Sequence, residues 1–122
     1  MNANPESQCV LVVDDEPDIC EALELALTME GYRVAAAHDR DAALRLLTTA
    51  KPVVILLDYC MPGLNAQDFV DQVKTSRATA PIVLMTGTKD PGEQARALGI
   101  SHFLPKPFEL DDMLKLVRQC AS

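Results

Sequence analysis

Five short apolar runs recur along the chain, at residues 9–13, 33–37, 53–57, 81–85 and, more weakly, 102–104. Three of them are rich in Val, Ile and Leu without polar alternation, the pattern of strands buried on both faces. Between the runs the spacing of apolar residues changes to three and four. Ile19, Leu23, Ala26 and Leu27 repeat at helical spacing, as do Ala43, Leu44 and Leu47. A last helix is predicted over residues 110–120, with Leu110, Met113, Leu114 and Val117 on one face. The punctuation agrees. Gly31 follows the first helical pattern as a stop, and Asp39 precedes the second as an N-cap. Pro52 and Pro81 open the third and fourth strands, where a missing N–H does least harm. Gly99 closes a short helical stretch that begins near Pro91.

Strands alternating with helices imply a parallel sheet, because parallel neighbours need a crossover connection. Right-handed crossovers then point to an α/β doubly wound sheet with helices on both faces. One domain is expected over residues 8–121, after a short N-terminal tail at 1–7. In such sheets ligands gather beyond the carboxyl ends of the strands. The residues there are Asp14, Asp15 and Glu16 after the first strand and Asp58 after the third. Thr86, Gly87 and Thr88 follow the fourth, and Pro105, Lys106 and Pro107 the fifth. Asp14, Asp15 and Asp58 would repel one another unless a proton or a cation intervened. Mg²⁺ or another hard divalent cation such as Mn²⁺ suits oxygen donors of this kind and completes its shell with phosphate oxygens. A lysine and a hydroxyl opposite could hold further phosphoryl oxygens, and a carboxylate can itself be the nucleophile. Asp58 is the best candidate, since it follows the middle run and heads a loop.

Composition narrows the function classes. The chain has 122 residues, 48% hydrophobic and 24% charged, which suits one folded domain and excludes a low-complexity linker. Eighteen acidic against eleven basic residues leave a net charge of −7, a poor match for a phosphate backbone. No apolar run is long enough to span a bilayer and no secretion signal opens the chain, so the expected location is cytoplasmic. Cys9, Cys20, Cys60 and Cys120 show neither a C-x-x-C pair nor a neighbouring histidine cluster, which argues against structural zinc and a disulfide scaffold. Cys9, Cys20 and Cys120 read as small core residues and Cys60 as a variable loop residue. His38 and His102 read as surface residues.

Four motifs stand in order: Val12-Val13-Asp14-Asp15-Glu16, Leu56-Leu57-Asp58 followed by Met61-Pro62-Gly63, Met85-Thr86-Gly87, and Lys106-Pro107-Phe108. With them the chain resembles a response regulator receiver domain, the phosphoacceptor part of two-component signalling, from about Gln8 to Cys120. The resemblance implies a (βα)5 flavodoxin-like fold with strand order 2-1-3-4-5. It implies Asp58 as phosphoacceptor, and Mg²⁺ held by Asp58, Asp15 and the backbone carbonyl of Cys60, with Asp14 acting mainly through a coordinated water. Lys106 would pair with the phosphoryl group, across a Lys106–Pro107 bond that is usually cis. Thr86 and Phe103 would form the switch. The implied partners are a sensor histidine kinase or phosphotransfer protein, and a downstream target or output domain. The target would meet the face of the fourth helix, fifth strand and fifth helix, and a homodimer is a further option. Phe103 lacks the hydroxyl of the more frequent Tyr, and Gly87 stands where Ala is more usual. A pseudo-receiver that binds proteins without phosphorylation is the alternative reading. An aspartyl phosphatase would want a proton donor at Cys60, and a flavin carrier would want a phosphate loop after the first strand.

Overall fold

A computed structural model describes residues 8–76 and 78–121, and the tail expected over 1–7 lies outside them. Five strands alternate with five helices. The strands are β1 (Cys9–Val13), β2 (Arg33–Ala37), β3 (Val54–Asp58), β4 (Ile82–Thr86) and β5 (His102–Pro105). The helices are α1 (Pro17–Met29), α2 (Arg40–Thr49), α3 (Ala66–Thr75), α4 (Pro91–Leu98) and α5 (Leu110–Ala121). All neighbouring strands pair in parallel, in the order β2-β1-β3-β4-β5, so the doubly wound expectation holds.

Strand alternation divides the core into two layers. Leu11, Val13, Ile55, Leu57 and Leu84 face α2, α3 and α4, where Ala43, Leu47, Phe69, Val73 and Leu98 close over them. Val10, Val12, Leu56, Val83 and Met85 face α1 and α5, against Leu23, Leu27, Met113 and Val117. β1 and β3 are buried along their whole length, which accounts for their uninterrupted apolar runs. Each fully buried Leu, Ile or Val contributes roughly 1.5–3 kcal/mol of transfer free energy. The layers fix the sheet and, through it, the edge where the strand ends meet.

The helix boundaries follow local chemistry. Asp39 caps α2 by accepting from the Ala42 N–H at 2.8 Å, and Asn65 caps α3 by accepting from Asp68 at 3.0 Å. Gly99 ends α4 with a left-handed φ of 76°, a conformation that favours glycine. Two expectations shift. β3 and β4 each begin and end one residue later than the apolar runs, because the ladder runs on through Asp58 and Thr86. The Tyr59 N–H donates to the Met85 carbonyl at 2.9 Å, and the Lys106 N–H donates to the Thr86 carbonyl at 2.8 Å. Leu110, expected on the packed face of α5, is 41% exposed. It sits in the first turn and lines an apolar groove with Ile19, Ala22 and Phe108 rather than entering the core.

Cys9 and Cys20 are buried, Cys120 is half-buried and Cys60 is exposed. Burial pushes the Cys9 and Cys120 thiols up, and burial with the nearby Asp14, Asp15 and Glu24 charges pushes Cys20 up to about 11. Thiolate is the reacting species, so a chromogenic thiol reagent at pH 8 is expected to label Cys60 first. Cys60→Ser should remove the fast phase, and Cys9 and Cys20 should react only after unfolding. A fast phase that survives in Cys60→Ser would contradict this assignment.

Candidate functional site

Three strand ends and one turn build the site. Asp14 follows β1, and its N–H donates to the Ala37 carbonyl at 3.1 Å, so the residue is tied to the sheet. Its side chain is fully buried, and Oδ1 accepts from the Glu16 N–H at 2.9 Å. Asp58 ends β3 and is 3% exposed. Its Oδ1 accepts from the Cys60 N–H at 3.3 Å, which starts the turn through Met61, Pro62 and Gly63. Lys106 follows β5, from which its Nζ reaches Asp14 Oδ2 at 3.3 Å and Asp58 Oδ1 at 3.1 Å. Glu16 Oε1 lies 3.6 Å from the same ammonium. The Lys106–Pro107 bond is cis.

Charge is unevenly balanced here. One oxygen from each of Asp14, Glu16 and Asp58 lies within 4.8 Å of the others, and one ammonium faces all three. Burial pushes the Asp14 carboxyl above its ordinary 3.8, and Asp58 adds to this, against the Glu16 N–H and Lys106. Burial pulls the Lys106 ammonium down, but its bond to Asp58 and the Asp14 and Asp58 charges outweigh that. Its pKa lies above the ordinary 10.5. A cluster of hard oxygen donors with more negative charge than its lysine can offset fits a divalent cation such as Mg²⁺.

The structure therefore brings together Asp14, Asp58 and Lys106. Asp15 is half-buried and is not a member of the carboxylate cluster, whereas Glu16, which precedes Pro17 at the start of α1, is. Glu16 is a member of the cluster that the sequence places at the strand end without marking it as a ligand. Its signal was position alone, directly after two acids at a strand end. Thr86 ends β4 and is 2% exposed. Its hydroxyl donates to Gln94 Oε1 on α4 at 2.8 Å, and Thr88 donates to the same oxygen at 2.7 Å. Phe103 is 40% exposed on β5, with its ring against Gly92 of α4. His38 is exposed as expected, yet its Nδ1 lies 3.1 Å from the Asp14 carbonyl, which also accepts from the Cys20 thiol at 3.1 Å. His102 is half-buried in β5.

Gly87 lies between Thr86 and Thr88 with a φ outside the left-handed region, and a Cβ there would meet Lys106 Cβ at an ordinary 3.8 Å. Gly87→Ala is therefore expected to stabilise the fold by about 0.4–1 kcal/mol, by reducing the freedom of the unfolded chain. A thermal melt checks it, and a lowered Tm would show that the backbone needs glycine there.

The sequence matches the response regulator receiver domain family over residues 10–118. It is 33% identical over 111 residues to the response regulator MprA of Mycobacterium ulcerans, covering 89% of this chain and 48% of that one. It is 34% identical over 111 residues to the transcriptional regulatory protein KdpE of Mycobacterium tuberculosis, covering 89% of this chain and 49% of that one. The chain thus spans about half the length of the curated relatives it matches. Among solved structures, the chemotaxis response regulator CheY4 of Vibrio cholerae superposes with a TM-score of 0.84 at 30% identity, covering 93% of this chain and 98% of that one. A signal receiver domain from Bermanella marisrubri gives 0.85 at 27% identity, covering 93% and 98%. The match across nearly the whole chain, and a sheet that carries its acids and its lysine to one edge, identify the chain as a member of the response regulator receiver domain family, a domain of two-component signalling.

Proposed function

We propose that this domain is a phosphorylatable switch in which Asp58 accepts a phosphoryl group from a phosphohistidine of a partner kinase or phosphotransfer protein. The observation that carries this reading is the Lys106 ammonium, which joins Asp14 and Asp58 across 92 and 48 residues of sequence. A module that only bound proteins would gain nothing from crowding these acids around one lysine. Asp58 Oδ1 is fixed by Lys106 and the Cys60 N–H, and Oδ2, which takes neither bond, is the attacking oxygen. Oδ2 forms a bond to phosphorus as the phosphorus–nitrogen bond of the donor breaks. The electron pair stays on the imidazole, which then takes a proton. Asp14 and Asp58, with Asp15 and the Cys60 carbonyl as the resemblance implies, would hold Mg²⁺. When bound, the cation supplies positive charge against the carboxylates and the phosphoryl oxygens. Lys106 would hold one phosphoryl oxygen and Thr86 another, with Phe103 following Thr86.

Catalysis is confined to the domain's own phosphoryl gain and loss, so it acts as a switch rather than a turnover enzyme. The two states differ in population, and phosphate favours the one it contacts through Thr86 and Lys106. The proposed location is cytoplasmic, in keeping with the fact that no helix among the described residues is long and apolar enough to cross a membrane. An output domain or separate target would read the face of α4, β5 and α5. The test is incubation with acetyl phosphate, with and without Mg²⁺, followed by intact mass and peptide mapping. A Mg²⁺-dependent adduct on Asp58, stable to acid and labile to base, is expected. An unmodified chain under every condition would overturn the reading in favour of a protein-binding pseudo-receiver.

A further inference from the structure

We propose that Gln94 is the positioning residue that restrains the switch, by holding the Thr86 hydroxyl proton until phosphate competes for it. The inference rests on the phosphoryl-switch reading above and assigns the group that opposes the change. A hydroxyl has one proton to donate. Here that proton goes to Gln94 Oε1 at 2.8 Å in preference to the Thr88 hydroxyl oxygen at 3.3 Å. The Thr88 hydroxyl's own proton goes to the same Gln94 oxygen at 2.7 Å, so both lone pairs of that oxygen are used. The Thr88 N–H donates to Thr86 Oγ1 at 3.3 Å and leaves the Thr86 proton free to go to Gln94. Thr86 is 2% exposed, so water is a poor substitute when the bond is broken. Contact between Thr86 and a phosphoryl oxygen on Asp58 therefore requires release from Gln94.

α4 holds the second switch residue as well. The Phe103 ring lies across its first turn, with Cε1 and Cζ each 3.5 Å from the position a Gly92 Cβ would occupy. One eight-residue helix thus retains the hydroxyl through Gln94 and supports the outward ring at Gly92. Both contacts would have to yield if Thr86 turned to a phosphoryl oxygen on Asp58 and Phe103 followed it. Gln94 touches neither Asp58 nor Lys106 through any hydrogen bond among the described residues, so it acts through Thr86.

The test uses fluoroberyllate with Mg²⁺ as the phosphoryl probe, and the Thr86 methyl resonance as the reporter, in wild type, Gln94→Met and Gln94→Glu. Methionine keeps the length and loses the oxygen, glutamate keeps an acceptor, and both suit a helix. In Gln94→Met the unliganded methyl shift should move towards its fluoroberyllate-bound position. Its apparent affinity for the probe should rise about fivefold, the factor carried by one net hydrogen bond when the competent state is minor. In Gln94→Glu the unliganded shift should stay at the wild-type position, which a merely structural role for the side chain would not produce. Equal shifts and equal affinities in wild type and Gln94→Met would overturn the restraint while leaving the switch reading intact. A wild-type protein that takes up no fluoroberyllate would overturn the switch reading and the restraint with it.

Discussion

Asp58→Asn is expected to abolish phosphoryl uptake from acetyl phosphate, by more than about 100-fold, while making the folded domain more stable. The loss follows from the nucleophile, because an amide oxygen neither attacks phosphorus effectively nor contributes charge to a cation site. The gain follows from the imbalance around Lys106, where one ammonium faces Asp14, Glu16 and Asp58. Asparagine keeps an acceptor oxygen for the Lys106 and Cys60 donors but removes one of three like charges. Asp14, held above its ordinary 3.8 by burial first and by Asp58 as well, is relieved of part of that repulsion. A stabilisation on the order of 1 kcal/mol is the size usual for strain released at a functional site. Intact mass reads the first effect and thermal unfolding without divalent cation reads the second. An Asp58→Asn protein that still gains a phosphoryl group would remove Asp58 from the nucleophile's role. One that melts lower than wild type would show that Lys106 already balances the acids.

That trade between stability and chemistry is also why much of the site could be read from the sequence. Apolar runs end abruptly in Asp14, Asp58 and Lys106, residues that no core would choose, and the alternation of strands and helices places all three at one edge. β1 and β3 are the most legible strands, because they are buried on both faces and so lack polar interruptions. α3 carries a weaker signal: its buried Phe69, Val70 and Val73 sit among Gln67, Asp68, Asp71 and Gln72, which leaves too few apolar positions to mark a helical period. Asp58 and Thr86 looked like loop residues, since polarity marks the end of an apolar run but not the end of a hydrogen-bond ladder. The strand positions of both follow from bonds made by residues distant in sequence, from Tyr59 to Met85 and from Lys106 to Thr86. Gln94 was invisible for the same reason. A glutamine in a helix carries no signal until the fold brings a strand-end hydroxyl to it.

Lys106→Met is expected to have the largest effect on stability, a loss of about 3 kcal/mol at pH 7, the lower end of the cost of breaking a buried ion pair. Methionine fills the volume of the lysine stem, so the cost is electrostatic. Among the described residues, Asp14, fully buried, then keeps the Glu16 N–H alone as a donor to its carboxylate, and Asp58 the Cys60 N–H alone. The pH dependence has a definite sign. Asp14 already titrates above its ordinary 3.8, and losing Lys106, one of the groups that lower it, pushes it further in the same direction. The folded variant then binds more protons than the unfolded chain at pH values between 3.8 and the raised value. Its stability therefore rises as pH falls through that window, and the deficit against wild type shrinks. At the alkaline end wild type behaves differently. Lys106, held above its ordinary 10.5, contributes stability that is complete below 10.5 and lost as pH rises through the folded value. Denaturant melts of both proteins from pH 4 to 11 would show the two curves converging at each end. At the proposed cation site Mg²⁺ would supply the charge the variant lacks, so it is expected to raise the Tm of Lys106→Met more than that of wild type. A deficit independent of both pH and Mg²⁺ would mean that the lysine acts through packing, and that the three acids do not depend on its charge.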